Sequence, residues 1–264
     1  MSTGHVPLVA DYHVDNPLKA DSIRAFLRIV EMGHCPQLHC LNMSGISLKN
    51  DVSTTFATMI RSDAFKYLEE LYLADCSLSL ECIEHICRAI VDMPLQQLRT
   101  LSLAQNRLNS ACIHVLCSVL QKEQLPSLKE LDLGHNKLGD EGVKEFCDNN
   151  KDQVLAQVEV LNLCDNGIGN EGAFIIFDNV RHRVWAKLRD LNLERNKFTT
   201  VTAVQLRSLL EMDNDLDTIR LTDMTKRRAT VPNYRRQANK PTEIQGGDIQ
   251  SVPTTVLTES VLTP

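Results

Sequence analysis

The sequence predicts an α/β solenoid, in which a row of short parallel strands is backed by a row of helices. Three observations predict it. The stretch Leu128 to Leu138, LKELDLGHNKL, recurs at equal steps of thirty residues: LRTLSLAQNRL from Leu98, VEVLNLCDNGI from Val158 and LRDLNLERNKF from Leu188, with looser copies LEELYLADCSL from Leu68 and LHCLNMSGISL from Leu38. The first half of each unit alternates apolar and polar residues, which is the period of a strand. The second half repeats apolar residues at i and i+4, the spacing of one helical face. A fixed period in this range marks a fold in which each unit buries its apolar side against its neighbours.

Residues 1–37 keep the register in degraded form. Thirty residues before Leu38 stands Leu8, with Asn16 at the asparagine place, Leu18 at the next apolar place, and Asp11 and His13 at the two middle strand places. Polar groups there are costly inside a stacked core and harmless at an open end. The segment therefore reads as a degenerate N-terminal capping repeat, which solenoids need to cover their last apolar surface. Its helix is expected over about 21–32, with Ile23, Phe26, Leu27 and Val30 turned inward.

Residues 38–223 hold about six full units and a closing strand. Leu71, Leu101, Leu131, Leu161 and Leu191 form one column, and Leu73, Leu103, Leu133, Leu163 and Leu193 a second. Residues two apart on a strand face the same way, so both columns point into the core. The helical halves give an inward column of Phe56, Ile86, Leu116, Phe146, Ile176 and Leu206. Four places later the column Ile60, Ile90, Leu120, Asn150, Val180 and Leu210 is broken by Asn150, so that helix is expected to end early. Asn50, Ser110, Asp140, Asn170 and Thr200 recur just before the helices, where side-chain oxygens are expected to cap free amides. Leu216, Ile219 and Leu221 make the closing strand, twenty-eight residues after Leu188.

From about Met224 periodicity stops, and Thr, Pro and Gln become frequent. Residues 224–264 read as a disordered tail. The tail carries six Lys/Arg against three acids, a net +3, which leaves −9 of the chain's total of −6 for residues 1–223.

The chain has 264 residues, 43% of them hydrophobic. That is enough for one sizeable core, and the unbroken register argues for one elongated domain. A net charge of −6 argues against a general nucleic-acid binder. No apolar run reaches a membrane span, and the first residues show no basic stretch followed by an apolar one, so neither membrane association nor a signal peptide is expected. Nine cysteines in such a chain suggest free thiols in a reducing, cytoplasmic setting.

The unit LxxLxLxxNxL followed by a full helix at a thirty-residue period resembles the ribonuclease-inhibitor-like leucine-rich repeats, over about 1–223. The resemblance implies a horseshoe with parallel strands on the concave side and helices on the convex side. Shorter strand–loop units are the structural alternative. It also implies an asparagine ladder at Asn106, Asn136, Asn166 and Asn196, in which each amide serves backbone groups of the turn leaving the strand. Ile46 and Cys76 depart from the ladder, and their turns are expected to be less regular. Members of the family act as protein-binding scaffolds, as ligand-sensing parts of immune receptors and as activators of the small GTPase Ran; an actin-binding tropomodulin-type domain is a further relative. The Ran-activator reading would want more repeats and a long acidic tail, whereas this tail is basic.

Most reactive side chains have an ordinary reading. Cys82 and Cys112 share one repeat place, and Cys87, Cys117 and Cys147 another; small inward helix positions suit free cysteine as a small hydrophobe. His34, Cys35, His39 and Cys40 are a tight set of soft ligands, but His39 and Cys40 are adjacent on a strand and diverge, against the tetrahedral array that zinc needs. GDEG (139–142) and GNEG (169–172) recur with the repeat as helix starts, not as phosphate loops. Trp185 is expected under the coil edge. No catalytic set, metal or cofactor is expected.

The outward strand positions are the informative ones for binding. They carry eleven acids and five Lys/Arg, so a partner protein with a basic surface would be steered there. The candidate partner-binding residues are Glu70, Tyr72, Asp75, Glu130, Asp132, His135, Asn162, Asp165, Asn192 and Arg195, with Tyr72 the aromatic anchor. In the tail, Lys226-Arg227-Arg228-Ala229-Thr230-Val231 resembles a substrate for a basic-directed kinase at Thr230. The sequence thus points to a monomeric, non-catalytic scaffold or adaptor. A GTPase regulator of the Ran-activator kind is the alternative, and an actin-binding tropomodulin-like module a weaker one.

Overall fold

The computed structural model describes residues 10–11, 20–30, 32, 38–49, 51–120, 123–149, 157–210 and 218–221. All of them fall in one compact unit, Met1–Met224. The tail, Thr230 included, lies outside the described residues, as do Asn50, Asn150, His34 and Cys35.

Strands and α-helices alternate in the described chain, with one short 3-10 helix (Asp63–Phe65) between α2 and β3: β1 (Ala10–Asp11), α1 (Ala20–Ile29), β2 (Cys40–Asn42), α2 (Asp51–Ile60), β3 (Glu70–Tyr72), α3 (Leu80–Asp92), β4 (Thr100–Ser102), α4 (Ser110–Cys117), β5 (Glu130–Asp132), α5 (Gly139–Asp148), β6 (Val160–Asn162), α6 (Asn170–Arg181), β7 (Asp190–Asn192), α7 (Thr200–Leu210) and β8 (Thr218–Arg220). The eight strands form one sheet in chain order. Every neighbouring pair is parallel, and Leu41, Leu71, Leu101, Leu131, Leu161, Leu191 and Ile219 stand opposite one another in turn. Equal steps of thirty thus become equal seats, which is the defining property of an α/β leucine-rich-repeat solenoid.

Packing follows from the two leucine columns and the helical column. The leucines at 71, 101, 131, 161 and 191 are buried with those two places later, against Phe56, Ile86, Leu116, Phe146, Ile176 and Leu206. Strands sit about 4.8 Å apart, whereas packed helices need roughly 8–10 Å. The helical layer is therefore the wider one, and the coil curves with its sheet on the inner, concave side.

The first strand corrects one expectation. Ala10, not Asp11, pairs with Leu41, and Asp11 pairs with Asn42. The cap strand is thus set one residue away from the register that a count of thirty gives. In α1, Ile23, Leu27 and Val30 are buried and Phe26 half-buried, as expected. The helix α5 ends at Asp148, where the Asn149 side chain donates to the Glu145 carbonyl at 2.8 Å.

The helix caps correct a second expectation. The capping side chains stand one place earlier than expected: Ser79 Oγ, Asn109 Oδ1 and Thr199 Oγ1 accept from the amides of Cys82, Cys112 and Thr202. Asp140 and Asn170 lie inside their own helices and serve the following coil instead. Asp140 Oδ1 accepts from the amides of Gly169 at 2.6 Å and Gly172 at 3.0 Å. Asn170 Oδ1 accepts from Thr199 N at 2.8 Å and from Thr202 Oγ1 at 2.8 Å. Glycine at 169 offers no side-chain cap of its own, so the carboxylate of the preceding coil supplies it.

The asparagine ladder forms where expected. Asn106, Asn136, Asn166 and Asn196 are buried. Asn136 accepts from Asn106 N and Leu108 N at 2.9 Å each, and donates to the carbonyls of Leu103, Leu133 and Gly134. The turn at Cys76 is more regular than expected. Asp75 and Ser77 have φ of 54° and 55°, like Gln105 at 59° and Arg107 at 60°. The Cys76 thiol donates to Met43 O at 3.0 Å, as Asn106 donates to Leu73 O at 2.7 Å.

Candidate functional site

The candidate site is the sheet face turned away from the helices. Two columns of strand residues build it. One runs Cys40, Glu70, Thr100, Glu130, Val160, Asp190 and Thr218; the other runs Asn42, Tyr72, Ser102, Asp132, Asn162, Asn192 and Arg220. Alternation along each strand forces both columns outward once the leucines between them are buried.

The second column does structural work that the sequence reading did not foresee. Asn42 Oδ1 accepts from Ser44 N at 3.0 Å, Asp132 Oδ1 from Gly134 N at 2.9 Å, Asn162 Oδ1 from Cys164 N at 3.1 Å and Asn192 Oδ1 from Glu194 N at 3.1 Å. Each is a short polar side chain closing the turn that leaves its strand. Asn162 Nδ2 also donates to Asp132 Oδ1 at 2.8 Å, and Ser102 Oγ to Asp132 Oδ2 at 3.3 Å. Asn192 is only 9% exposed, so little of it is open to a partner. The signal was present in the sequence: Asn or Asp recurs at this place in four coils, two residues before the turn.

Asp75, His135, Asp165 and Arg195 stand at the turn itself, all with φ between 50° and 59°, at the place Gly45 holds in an earlier coil. His135 Nδ1 meets Asp165 Oδ2 at 2.9 Å. The candidate residues thus divide into a strand set and a loop set along one edge.

The charge on the face is uneven. Several of its cations are bound to neighbouring acids: Arg99 to Glu69 at 3.5 Å, Lys129 to Glu159 at 3.0 Å, and Arg220 to Asp190 through two contacts at 3.3 and 2.6 Å. Glu70 and Glu130 flank the uncharged Thr100 in one column, and the Arg99–Glu69 and Lys129–Glu159 bridges run along the row one residue before it. Partial burial, and then the charges of Glu70 and Glu159, push the Glu130 carboxyl above its usual range. Tyr72 is half-buried and donates its hydroxyl to Glu70 Oε2 at 3.0 Å. Burial, and then Glu70, raise the Tyr72 phenol well above its ordinary value, so it remains a neutral donor. Beside these residues Ser102 and Ala104 are small and buried. Chemically, this stretch of β3–β5 offers carboxylates and one aromatic ring.

The cysteines sit where the helical spacing put them, in the core: Cys82, Cys87, Cys112, Cys117 and Cys147 are all buried. Burial pushes the Cys87 and Cys117 thiols up to about 12, which removes their nucleophilic form at neutral pH. His39 stacks on Tyr67, with ring centroids 6.3 Å apart. Trp185 is buried under the coil edge, 5.9 Å from the Phe146 ring.

A family model described as Leucine Rich repeat matches residues 124–147 and 158–175. These two segments carry leucine-rich repeats. The matched segments hold two strand-and-helix units of the solenoid, around β5 and β6. None of the curated proteins compared matches the sequence. Among solved structures, the leucine-rich repeats are similar to a Bacteroides fragilis protein at 17% identity, covering 59% of this chain and 40% of that one, with a TM-score of 0.43. An internalin from Listeria monocytogenes matches at 16% identity, 75% and 51% coverage, and a TM-score of 0.44. The actin-binding site 2 of leiomodin-1 matches at 11% identity, 78% and 80% coverage, and a TM-score of 0.29. The chain spans about half or less of the first two.

Proposed function

We propose that this protein is a non-catalytic scaffold whose concave sheet face binds another protein through a basic segment. One observation carries the reading: on the stretch from β3 to β5, the column Glu70, Thr100 and Glu130 holds no cation, while Arg99 and Lys129 in the row before it, and Arg220 further along, are each paired with another acid. A Lys or Arg side chain laid over Thr100 would meet both carboxylates and pack its stem on the Tyr72 ring. Asp132 supports the same charge from the next column. The loop residues Asp75, His135, Asp165 and Arg195 would form the rim, with Asn162 and Asn192 contributing mainly by shaping the turns.

The ribonuclease-inhibitor-like subtype is part of the proposal. It is supported by the thirty-residue step and by the ten to thirteen residues of helix in α2, α3, α5, α6 and α7. So is a reducing compartment, because the Cys76 thiol works as a hydrogen-bond donor only when reduced.

The test is affinity capture from native cells with wild type beside the Glu70→Gln/Tyr72→Ala/Glu130→Gln variant. Loss of a protein recovered by wild type supports the reading, and an unchanged set of captured proteins refutes it. Asp132→Ala is a poor probe, because it also removes the acceptor for Gly134 N.

A further inference from the structure

The coil edge between α6 and β7 carries the opposite charge to the sheet face. Arg181, His182, Arg183, Lys187 and Arg189 are all exposed within nine residues. The backbone that displays them is fixed. The amides of His182, Arg183 and Val184 donate to the carbonyls of Asp178, Val180 and Asn179 at 3.0 Å each, and Arg189 N donates to Glu159 O at 2.8 Å. Trp185 and Leu188 anchor the loop in the core.

The repeat supplies its own control. Three coils earlier the places of Arg181, Arg183 and Lys187 are held by Val91, Met93 and Gln97, in the same fold. The solenoid therefore does not require cations at these places. The neighbouring coil presents Glu159, and the coil beyond it Lys129, which pairs with Glu159 at 3.0 Å. Glu159 is held below the usual carboxylate range by its hydrogen bond from Lys129 and further by the charges of Lys129, Arg189 and Lys187. One carboxylate thus sits among three cations, and the edge keeps a local positive excess on a body whose net charge is −9.

We propose that this edge, formed by Lys129, Lys187 and Arg189 with Arg181 and Arg183 beside them, is a second docking surface, and that it takes an acidic peptide segment of a partner protein. The patch is rigid, so little conformational freedom is lost on binding. Its cations present forks and points suited to carboxylates. It is also short. On the four coils before it the same place reads Glu69, Arg99, Lys129 and Glu159, so the edge mixes signs, Glu69 pairing with Arg99 and Lys129 with Glu159. A long nucleic-acid strand needs a continuous stripe of positive potential, and the acidic body would repel it.

The test is anisotropy of a fluorescein-labelled octaglutamate peptide titrated with the full chain. Lys187→Gln/Arg189→Gln should weaken binding by about tenfold, and Glu159→Gln should strengthen it by roughly threefold, because it removes the competing carboxylate. All three side chains are on the surface, and the tail's own charges are the same in every protein. Glu70→Gln/Glu130→Gln should leave this affinity unchanged, which separates the two surfaces. Equal binding by wild type and the Lys187/Arg189 variant would overturn the proposal. So would an unaltered affinity in Glu159→Gln, or a labelled oligothymidylate of equal charge binding more tightly than the peptide.

Discussion

Asn106 accepts the backbone N–H of Cys76 at 2.9 Å, and Cys76 performs for the preceding coil only half of what Asn106 performs here. Asn106 both donates, to Leu73 O, Leu103 O and Ala104 O, and accepts, from Cys76 N and Leu78 N. Cys76 donates to Met43 O and Ala74 O. It has no acceptor to offer, so Ile46 N turns to Met43 O at 3.0 Å and Leu48 N to Cys76 O at 2.9 Å. The ladder continues as a donor ladder and ends as an acceptor ladder.

The asymmetry predicts unequal mutational costs. Asn136→Ala strands two buried amides, Asn106 N and Leu108 N, while the three carbonyls it serves keep other donors, and it should cost about 2–5 kcal/mol, since each buried group left unpaired costs roughly 1–3 kcal/mol. Cys76→Ala removes weaker thiol bonds and should cost only ~1 kcal/mol. Denaturant unfolding of both variants checks the order; equal losses would show that the thiol contributes as much as the amide and that the asymmetry is absent.

Gly172 gives a prediction whose sign opposes helix propensity. Alanine in place of glycine inside a helix ordinarily stabilises by about 1 kcal/mol. Here an added Cβ would lie 2.6 Å from Asp140 Oδ1 and 2.8 Å from Ile168 Cγ2. Gly172→Ala should therefore expel the capping carboxylate and lower the midpoint of thermal unfolding. Asp140→Ala should lose ~1 kcal/mol of capping, and adding it to Gly172→Ala should cost less than the two separate losses combined.

Glu130 ties stability to the proposed site. Its folded pKa is raised, so its ionised form is disfavoured in the folded state; stability associated with the protonated form is present at low pH and is lost as pH rises through the folded pKa. Glu130→Gln should then stabilise the protein at pH 7 by a fraction of a kcal/mol, because much of the side chain is exposed and screened. The gain should vanish near pH 4. Paired urea titrations at the two pH values measure it. A variant that gains stability while losing a basic ligand would mark Glu130 as kept for binding.

The repeat was legible because a solenoid ties spacing directly to place. Leucines thirty apart had to share a column, and Leu101 and Leu131 do. The cap register was not legible, because Ala10 and Asp11 differ by one residue and only pairing with β2 decides which meets Leu41. The caps were misplaced for a related reason: Asp140 looked like a cap for its own helix, whereas the acceptor reaches across coils to Gly169 and Gly172. At the candidate site the outward face was legible from alternation. The turn-closing role of Asp132, Asn162 and Asn192 lies in bonds to amides two residues on, and the salt bridges that pair Arg99, Lys129 and Arg220 with acids depend on neighbours about thirty residues away.

The buried thiols predict protection. With Cys87 and Cys117 raised to about 12, iodoacetamide should label them in the native state only as fast as the solenoid opens. Mass spectrometry across a urea series should show labelling rise with unfolding; rapid native labelling would place these thiols outside the core.

The most direct measurement is a titration of the purified chain with a labelled arginine-rich nonapeptide at moderate salt, comparing wild type, Glu70→Gln/Glu130→Gln on the sheet face and Glu84→Gln/Glu141→Gln on the helical side. Both variants change net charge equally. The account predicts saturable binding that weakens several-fold only in the sheet-face variant. Equal affinity for all three proteins, or a larger loss from the helical-side variant, would contradict it.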